Sequence, residues 1–206
     1  MSIIRKVINR VLMRCFSLRR VNIDASSSKD VFLTFDDGPE PGITEFVLNQ
    51  LKDYGFKATF FCTGQCAEKH PELLLRIKDE GHLVGNHTYE HIKAYDRSGS
   101  SYIADVEKAN CILNTSFFRP PNGCLTLKSW WGLRKYKVIY WTIGSNDWCH
   151  TNDQYEKGLQ LLQSTRPGDI ILFHFSNELE KGTYYILPKY LAWLRSQGLV
   201  SKALPE

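Results

Sequence analysis

A chain of 206 residues is long enough for one domain with a sizeable core and an appended segment. Its 43% apolar and 23% charged residues are those of an ordinary globular protein, which excludes a disordered, fibrous or low-complexity chain. The net charge of +4 resides in residues 1–30, where seven cations face two acids for +5; the rest stands at −1, which excludes a basic nucleic-acid-binding surface on the main domain.

The chain opens with I-I-R-K-V-I-N-R-V-L-M-R-C-F, Ile3 to Phe16. Apolar pairs recur every four residues with basic residues between them, a broad amphipathic helical pattern. Two readings stay open: residues 1–20 lie on an anionic membrane surface, or they pack on the chain's own domain. There is no run of 18 apolar residues, so no spanning helix is expected. The start also lacks the continuous apolar stretch and small-residue cleavage site of a secretory signal. The six cysteines (15, 62, 66, 111, 124 and 149) form no C-x-x-C pair. Free thiols in a reducing, cytoplasmic setting are the simplest reading. Residues 1–29, ending in the linker D-A-S-S-S-K, are therefore set apart from a domain over 30–206.

From Lys29 onward, strands and helices alternate. Val31–Phe35 reads as a strand. Ile43, Phe46, Val47, Leu51 and Tyr54 follow helical spacing up to Gly55. Lys57–Cys62 is a second strand, Pro71–Glu80 a helix closed by Gly81, and His82–Val84 a third strand. Ser101–Asn114 is a helix, Ser116–Arg119 a fourth strand, and Thr126–Lys135 a helix. Lys137–Ile143 is a fifth strand, Asp153–Thr165 a helix stopped at Arg166-Pro167-Gly168, and Ile170–Phe175 a sixth, wholly apolar strand ending in histidine and phenylalanine. Thr183–Gln197 is a helix and Leu199–Ala203 a weak seventh strand. This alternation predicts an α/β fold with a parallel sheet, and about seven units come close to closing a barrel.

In such folds chemistry gathers at the C-terminal strand ends, and the unusual polar residues fall there. Asp36 and Asp37 follow the first strand, G-N-H-T-Y-E-H (85–91) the third, R-P-P-N-G (119–123) the fourth, and S-N-D-W (145–148) the fifth; His174 stands at the end of the sixth. Two adjacent aspartates in T-F-D-D-G-P could be a solvated turn. They could also be a ligand beside a base, because a metal bound by one relieves the repulsion between them. His87 and His91, spaced i, i+4, face one way if they sit on a helical turn, and with one carboxylate they make a site that leaves positions open for water. His70, His82 and His150 have no comparable setting and are read as structural.

Taken in order, T-F-D-D-G-P, H-T-Y-E-H, R-P-P-N-G and L-F-H resemble the motifs of the polysaccharide deacetylase family, also called the NodB-homology family or carbohydrate esterase family 4. The resemblance covers about Asp30 to Ala203. It implies a distorted (β/α) barrel of about seven parallel strands and removal of the N-acetyl group from an amino sugar in a polysaccharide, oligosaccharide or lipid-linked glycan. It implies Asp37, His87 and His91 as ligands to a divalent metal, zinc first, with cobalt or manganese as alternatives. By the same resemblance Asp36 is the base, His174 the acid, and Arg119 the residue that orients Asp36. Leu172 and Trp148 line the acetyl pocket, and the Asn122 N–H holds the oxyanion. Two positions depart from the family pattern. The family's D-S-x-D-W reads G-S-N-D-W here, so Gly144 stands where the first acid belongs, and Arg119 is expected to pair with Asp147 or to sit looser. Asn122 replaces the usual aromatic. Activity is still expected, with O-acetyl esterase or a catalytically weak glycan-binding protein as the alternatives.

Overall fold

The computed structural model describes residues 28–205. The N-terminal amphipathic pattern at 1–20 lies outside them, as does Cys15. The core is a sheet of parallel strands in the order β5-β4-β3-β2-β1-β7-β6. These are β1 (Asp30–Asp37), β2 (Ala58–Cys62), β3 (Leu83–Asn86), β4 (Phe117–Phe118), β5 (Lys137–Val138), β6 (Ile143–Gly144) and β7 (Ile170–His174). A short β8 (Val200–Ser201) pairs with the start of β1. The sheet curls into a half-barrel covered by α1 (Ile43–Tyr54), α2 (Gly64–Lys69), α3 (Pro71–Asp79), α4 (Gly99–Leu113), α5 (Leu127–Gly132), α6 (Asn152–Leu162) and α7 (Glu180–Ser196). Among the described residues, no helix is long and apolar enough to cross a membrane.

The single strand expected at Lys137–Ile143 is two pieces. Its start pairs with β4 and its end with β7. Ile139 still donates to the Phe118 carbonyl, and Thr142 donates to that of Ile170. The stretch thus crosses from one margin of the sheet to the other, and no one ladder can hold it throughout. The helix expected at Thr126–Lys135 is shorter, with Thr126 as its N-cap and Gly132 its last residue. Helix α2 has no counterpart in the sequence reading; it is a six-residue turn capped by Thr63, too short to show a periodic face.

The two-residue period of a strand sorts the core into layers. Val31, Leu33 and Phe35 of β1 join Phe60 of β2 and Ile171 and Phe173 of β7 in the layer under the helices. There Phe35 stacks on Phe60 with ring centroids 5.1 Å apart. The alternate residues Phe32, Phe61, Phe117 and Ile170 fill the barrel interior. Continuing the inward set toward the C-terminal ends gives Thr34 and Asp36 on β1, Leu172 and His174 on β7, and Arg119 just past β4. Strand alternation therefore aims four polar side chains, Thr34, Asp36, His174 and Arg119, toward one mouth before any loop is considered.

Helix α7 braces this mouth at close range. A Cβ on Gly182 would run into the backbone carbonyl of Asp147, so the helix seats only because that position is bare. Gly182→Ala should cost about 1–3 kcal/mol by overpacking, read as a fall in melting temperature of about 2–4 °C per kcal/mol. An unchanged melting temperature would show that the loop yields freely.

Candidate active site

The two aspartates at the end of β1 should point to opposite faces, because successive strand residues alternate. They do not. Asp37 has φ +90, a left-handed backbone that turns its carboxylate back over the mouth that Asp36 already faces. Of the six non-glycine residues with positive φ among the described residues, five surround this mouth: Asp37, Thr88, His91, Asn122 and Asn146. Each such conformation costs on the order of 1–3 kcal/mol and persists only where the surroundings impose it. Asn tolerates it better than most residues, which suits Asn122 and Asn146. An aromatic at position 122 would bear more strain.

His87 and His91 do meet, but not on a helical turn. Residues 87–91 are a loop in which Thr88 (φ +68) and His91 (φ +54) reverse the chain. The imidazoles end with centroids 5.1 Å apart. Backbone ties fix the loop. Gly64 and Gln65 at the start of α2 donate to the carbonyls of Thr88 and Tyr89. Asn86 Oδ1 takes the Thr88 N–H at 2.8 Å, and Asp105 Oδ2 takes the Tyr89 N–H at 2.7 Å. The helix missed in the sequence is thus one support of the histidine loop.

Asp37 Oδ1 lies 3.4 Å from His87 Nε2 and 3.2 Å from His91 Nε2, and no hydrogen-bond partner satisfies it although it is buried. An orphaned carboxylate oxygen between two imidazole nitrogens is costly unless something cationic shares it. Tetrahedral ligands 2.0–2.2 Å from a metal stand about 3.3 Å from one another, which matches both separations. The Nδ1–H of His87 donates to the Arg119 carbonyl at 2.7 Å, so its Nε2 lone pair is left for a metal. The three residues therefore fit a divalent metal ion. Burial acts to raise the Asp37 pKa, but the adjacent His87, with His174 and His91, outweighs it and holds the carboxyl well below its ordinary value. Burial, aided by His87, lowers the pKa of His91, which favours the neutral, ligating form.

Asp36 is 3% exposed. Its Oδ1 takes a 2.7 Å hydrogen bond from Arg119 Nη1. Its Oδ2 faces the histidines, 3.8 Å from His87 Nε2. Arg119 is wholly buried and pairs with Asp36; the expectation that, without an acid at 144, it would pair with Asp147 or sit looser does not hold. Its remaining N–H groups reach Thr34 Oγ1 at 2.7 Å and the carbonyls of Tyr140 and Ile139 at 3.2 and 3.4 Å. The guanidinium lies 4.1 Å over the Phe61 ring. Asp147, also fully buried, instead holds His174. Its Oδ1 takes the Nδ1–H at 2.8 Å, and its Oδ2 takes the His174 backbone N–H at 2.6 Å and the Thr183 hydroxyl at 3.0 Å. Burial would lower the His174 pKa, but the Asp147 carboxylate overrides it and raises the value to about 9.

These groups share a cleft of about 450 Å³ lined by Asp36, Asp37, His87, His91, Asn122, Trp148, Leu172 and His174. Every lining residue expected from the sequence is present. Arg119 lies behind the wall. Trp141, Glu178 and Leu179 also line the cleft and were not foreseen, because none stands in a polar motif at a strand end. A family model described as polysaccharide deacetylase matches residues 24–141. The chain belongs to the polysaccharide deacetylase family. It is 33% identical to a peptidoglycan-N-acetylglucosamine deacetylase of Bacillus cereus over 86% of its own length and 67% of that protein's. It is 30% identical to a chitooligosaccharide deacetylase of Azorhizobium caulinodans over 72% and 74%. The structure of the Bc1960 peptidoglycan N-acetylglucosamine deacetylase superimposes with a TM-score of 0.78 at 32% identity, covering 87% of each chain. The distorted parallel barrel and the deacetylase motifs read from the sequence agree with this membership.

The Asp147 contact can be measured directly. An NMR titration of the metal-free protein should place the His174 imidazole near pH 9. With Asp147→Asn the largest raising influence is lost, burial is opposed only by the Asp37 and Asp36 charges, and the value should fall by about 1–3 units. Stability follows the same sign: the contribution of this pair is intact below the ordinary value of 6.5 and fades as pH rises through about 9. Equal titrations in the two proteins would remove Asp147 from this role.

Proposed function

We propose that the protein is a metal-dependent deacetylase that hydrolyses the N-acetyl group of an amino sugar in a glycan and releases acetate. One observation carries the reading. At a single mouth, a metal-fitting Asp37–His87–His91 set stands beside a carboxylate with one free oxygen and an imidazole kept protonated by a buried anion. N-acetylglucosamine-bearing glycans are the favoured substrate class, since both named relatives act on them.

Amide hydrolysis needs a nucleophilic water, a sink for charge on the carbonyl oxygen, and a proton for the departing nitrogen. Asp37, His87 and His91 would hold the divalent ion, zinc by preference, with cobalt and manganese as alternatives. When bound, that ion supplies Lewis-acid polarisation of the carbonyl and of water. Asp36 Oδ2 takes the proton from water as it adds to the carbonyl carbon, while Arg119 fixes the other oxygen. The Asn122 backbone N–H donates to the developing oxyanion. His174 Nε2–H gives its proton to the nitrogen as the carbon–nitrogen bond breaks. An amine expelled without that proton is a poor leaving group. Trp148 and Leu172 shelter the methyl group. The products are acetate and a free amino sugar.

Asp36→Asn and His174→Ala should each lower kcat for acetate release from N-acetylglucosamine oligomers by about 10²–10⁴-fold. Chelation should abolish activity, and added zinc, cobalt or manganese should restore it. Bound metal with parental rates in both variants would overturn the mechanism. Acetate from acetylated xylan alone would reassign the site to O-acetyl esters, and binding without turnover would make it a glycan-binding protein.

For residues 1–20 we keep the membrane-surface reading, on the cytoplasmic face, because apolar pairs and cations recur together there. Vesicles rich in anionic lipid should co-sediment the full chain and not a chain lacking residues 1–20. Equal behaviour of the two would leave the segment to packing on its own domain.

A further inference from the structure

Gly144 closes β6 in register with Leu172 of β7, and neighbours in register share a face. Leu172 lines the cleft, so any side chain at 144 would point into it. None does, and an indole fills the place. A Cβ on Gly144 would lie 2.7 Å from Cη2 and 3.3 Å from Cζ3 of Trp148, and 3.7 Å from Nε1 of Trp141. Carbon atoms in contact stand about 3.5–4.0 Å apart. The benzo edge of Trp148 therefore rests on bare backbone, in a seat that even a methyl group would close. From that seat the indole meets the His174 ring edge-on, centroids 5.6 Å apart and planes at 86°.

We propose that Gly144 sets the acyl-group selectivity of the cleft. Bare backbone at 144 lets Trp148 sit low against β6, and the wall it forms with Leu172 admits formyl and acetyl groups and rejects propionyl and longer ones. The inference rests on the deacetylase reading and adds the residue that fixes which acyl group is removed. Gly144 touches no substrate; it is a positioning residue acting through Trp148. The same position that lacks an acid for Arg119 thus gains a use, while Arg119 is satisfied by Asp36, Thr34 and two carbonyls.

The test compares N-formyl, N-acetyl and N-propionyl glucosamine oligomers on the zinc-loaded full chain, its Gly144→Ala and Trp148→Phe variants, and the double variant. One added methylene in a fitted apolar pocket is worth about 10–200-fold. The parent should favour acetyl over propionyl within that range. Gly144→Ala should push the indole toward the acyl group and lower kcat/KM for acetyl about tenfold relative to formyl. Trp148→Phe should raise the propionyl-to-acetyl ratio about tenfold. The double variant should recover acetyl activity, because a phenyl ring lacks the outer indole edge that meets Gly144. Should Gly144→Ala fold poorly, the double variant decides: acyl ratios equal to those of Trp148→Phe alone support action through Trp148, and different ratios overturn it. Unchanged acyl ratios in the folded variants, or a parent that takes propionyl as readily as acetyl, would overturn the proposal. Binding of formate, acetate and propionate to the zinc-loaded protein, followed by calorimetry, gives the same ranking without turnover. Acetate bound in preference to propionate by a parent that cleaves none of the amides would keep the pocket and sink the deacetylase reading instead.

Discussion

A guanidinium with no exposed surface sits behind the wall of the cleft, and the rest of the site is arranged around satisfying it. A buried ion pair gains little over an apolar core of the same shape, yet breaking one costs about 3–5 kcal/mol because a charge is left alone. Arg119 avoids that state through one carboxylate, one hydroxyl, two carbonyls and the face of Phe61. Those partners come from β1, from β2 and from the Ile139–Tyr140 crossing segment, so the cation knits together elements remote in the chain. Its own carbonyl then receives the His87 Nδ1–H. One residue thereby fixes the orientation of Asp36 through its side chain and of His87, a member of the metal-fitting set, through its backbone.

The second constraint is backbone strain. From regular strand or helix geometry, Asp37, Thr88 and His91 could not bring the metal-fitting atoms of Asp37, His87 and His91 together. Each departs from it by adopting positive φ. The cost is met by a dense frame: parallel ladders on both sides of β1, the α2 N-terminus beneath the histidine loop, and the packed layer of Phe35, Phe60, Phe173 and Phe175. A ligand set held under strain before metal arrives needs little rearrangement to receive it.

Much of this was legible in the sequence, and what was not has identifiable causes. Strand–helix alternation and the clustering of polar motifs at strand ends were enough for the barrel and for the placement of Asp36, Asp37, His87, His91 and His174. Residue parity carries more than was taken from it. Phe32, Thr34 and Asp36 on one strand, with Ile170, Leu172 and His174 on another, already name the inward face, and that signal marks Asp36 rather than Asp37 as the regular strand residue. The i, i+4 spacing of the histidines was sound as a proximity signal and wrong as a helix signal, because convergence came from two left-handed residues that spacing does not encode. Asp147 was matched to the wrong partner. Charge alone suggests Arg119, but the two lie on opposite sides of the mouth, and only the register of β6 with β7 shows that the Ser145–Asp147 loop stands next to His174. Trp141 was missed because it lies on the crossing segment, where no strand pattern says which way a side chain faces.

In the proposed mechanism the two buried ion pairs divide the work of acid and base. Asp36 is set against a cation that lacks a second carboxylate, and His174 against an anion tied also by Thr183 and a backbone N–H. Arg119 fixes the Asp36 carboxylate by a hydrogen bond, and Asp147 raises the His174 pKa to about 9, so the proposed base and the proposed acid are set by separate buried partners. Had Asp147 reached Arg119 instead, His174 would lose the partner that most raises its pKa, and desolvation, which favours the neutral form, would work against the proposed acid role. The glycine at 144 fits this division. With no carboxylate at 144 to share Arg119, Asp36 is the one carboxylate that pairs with the guanidinium among the described residues, and Asp147 stays with the histidine.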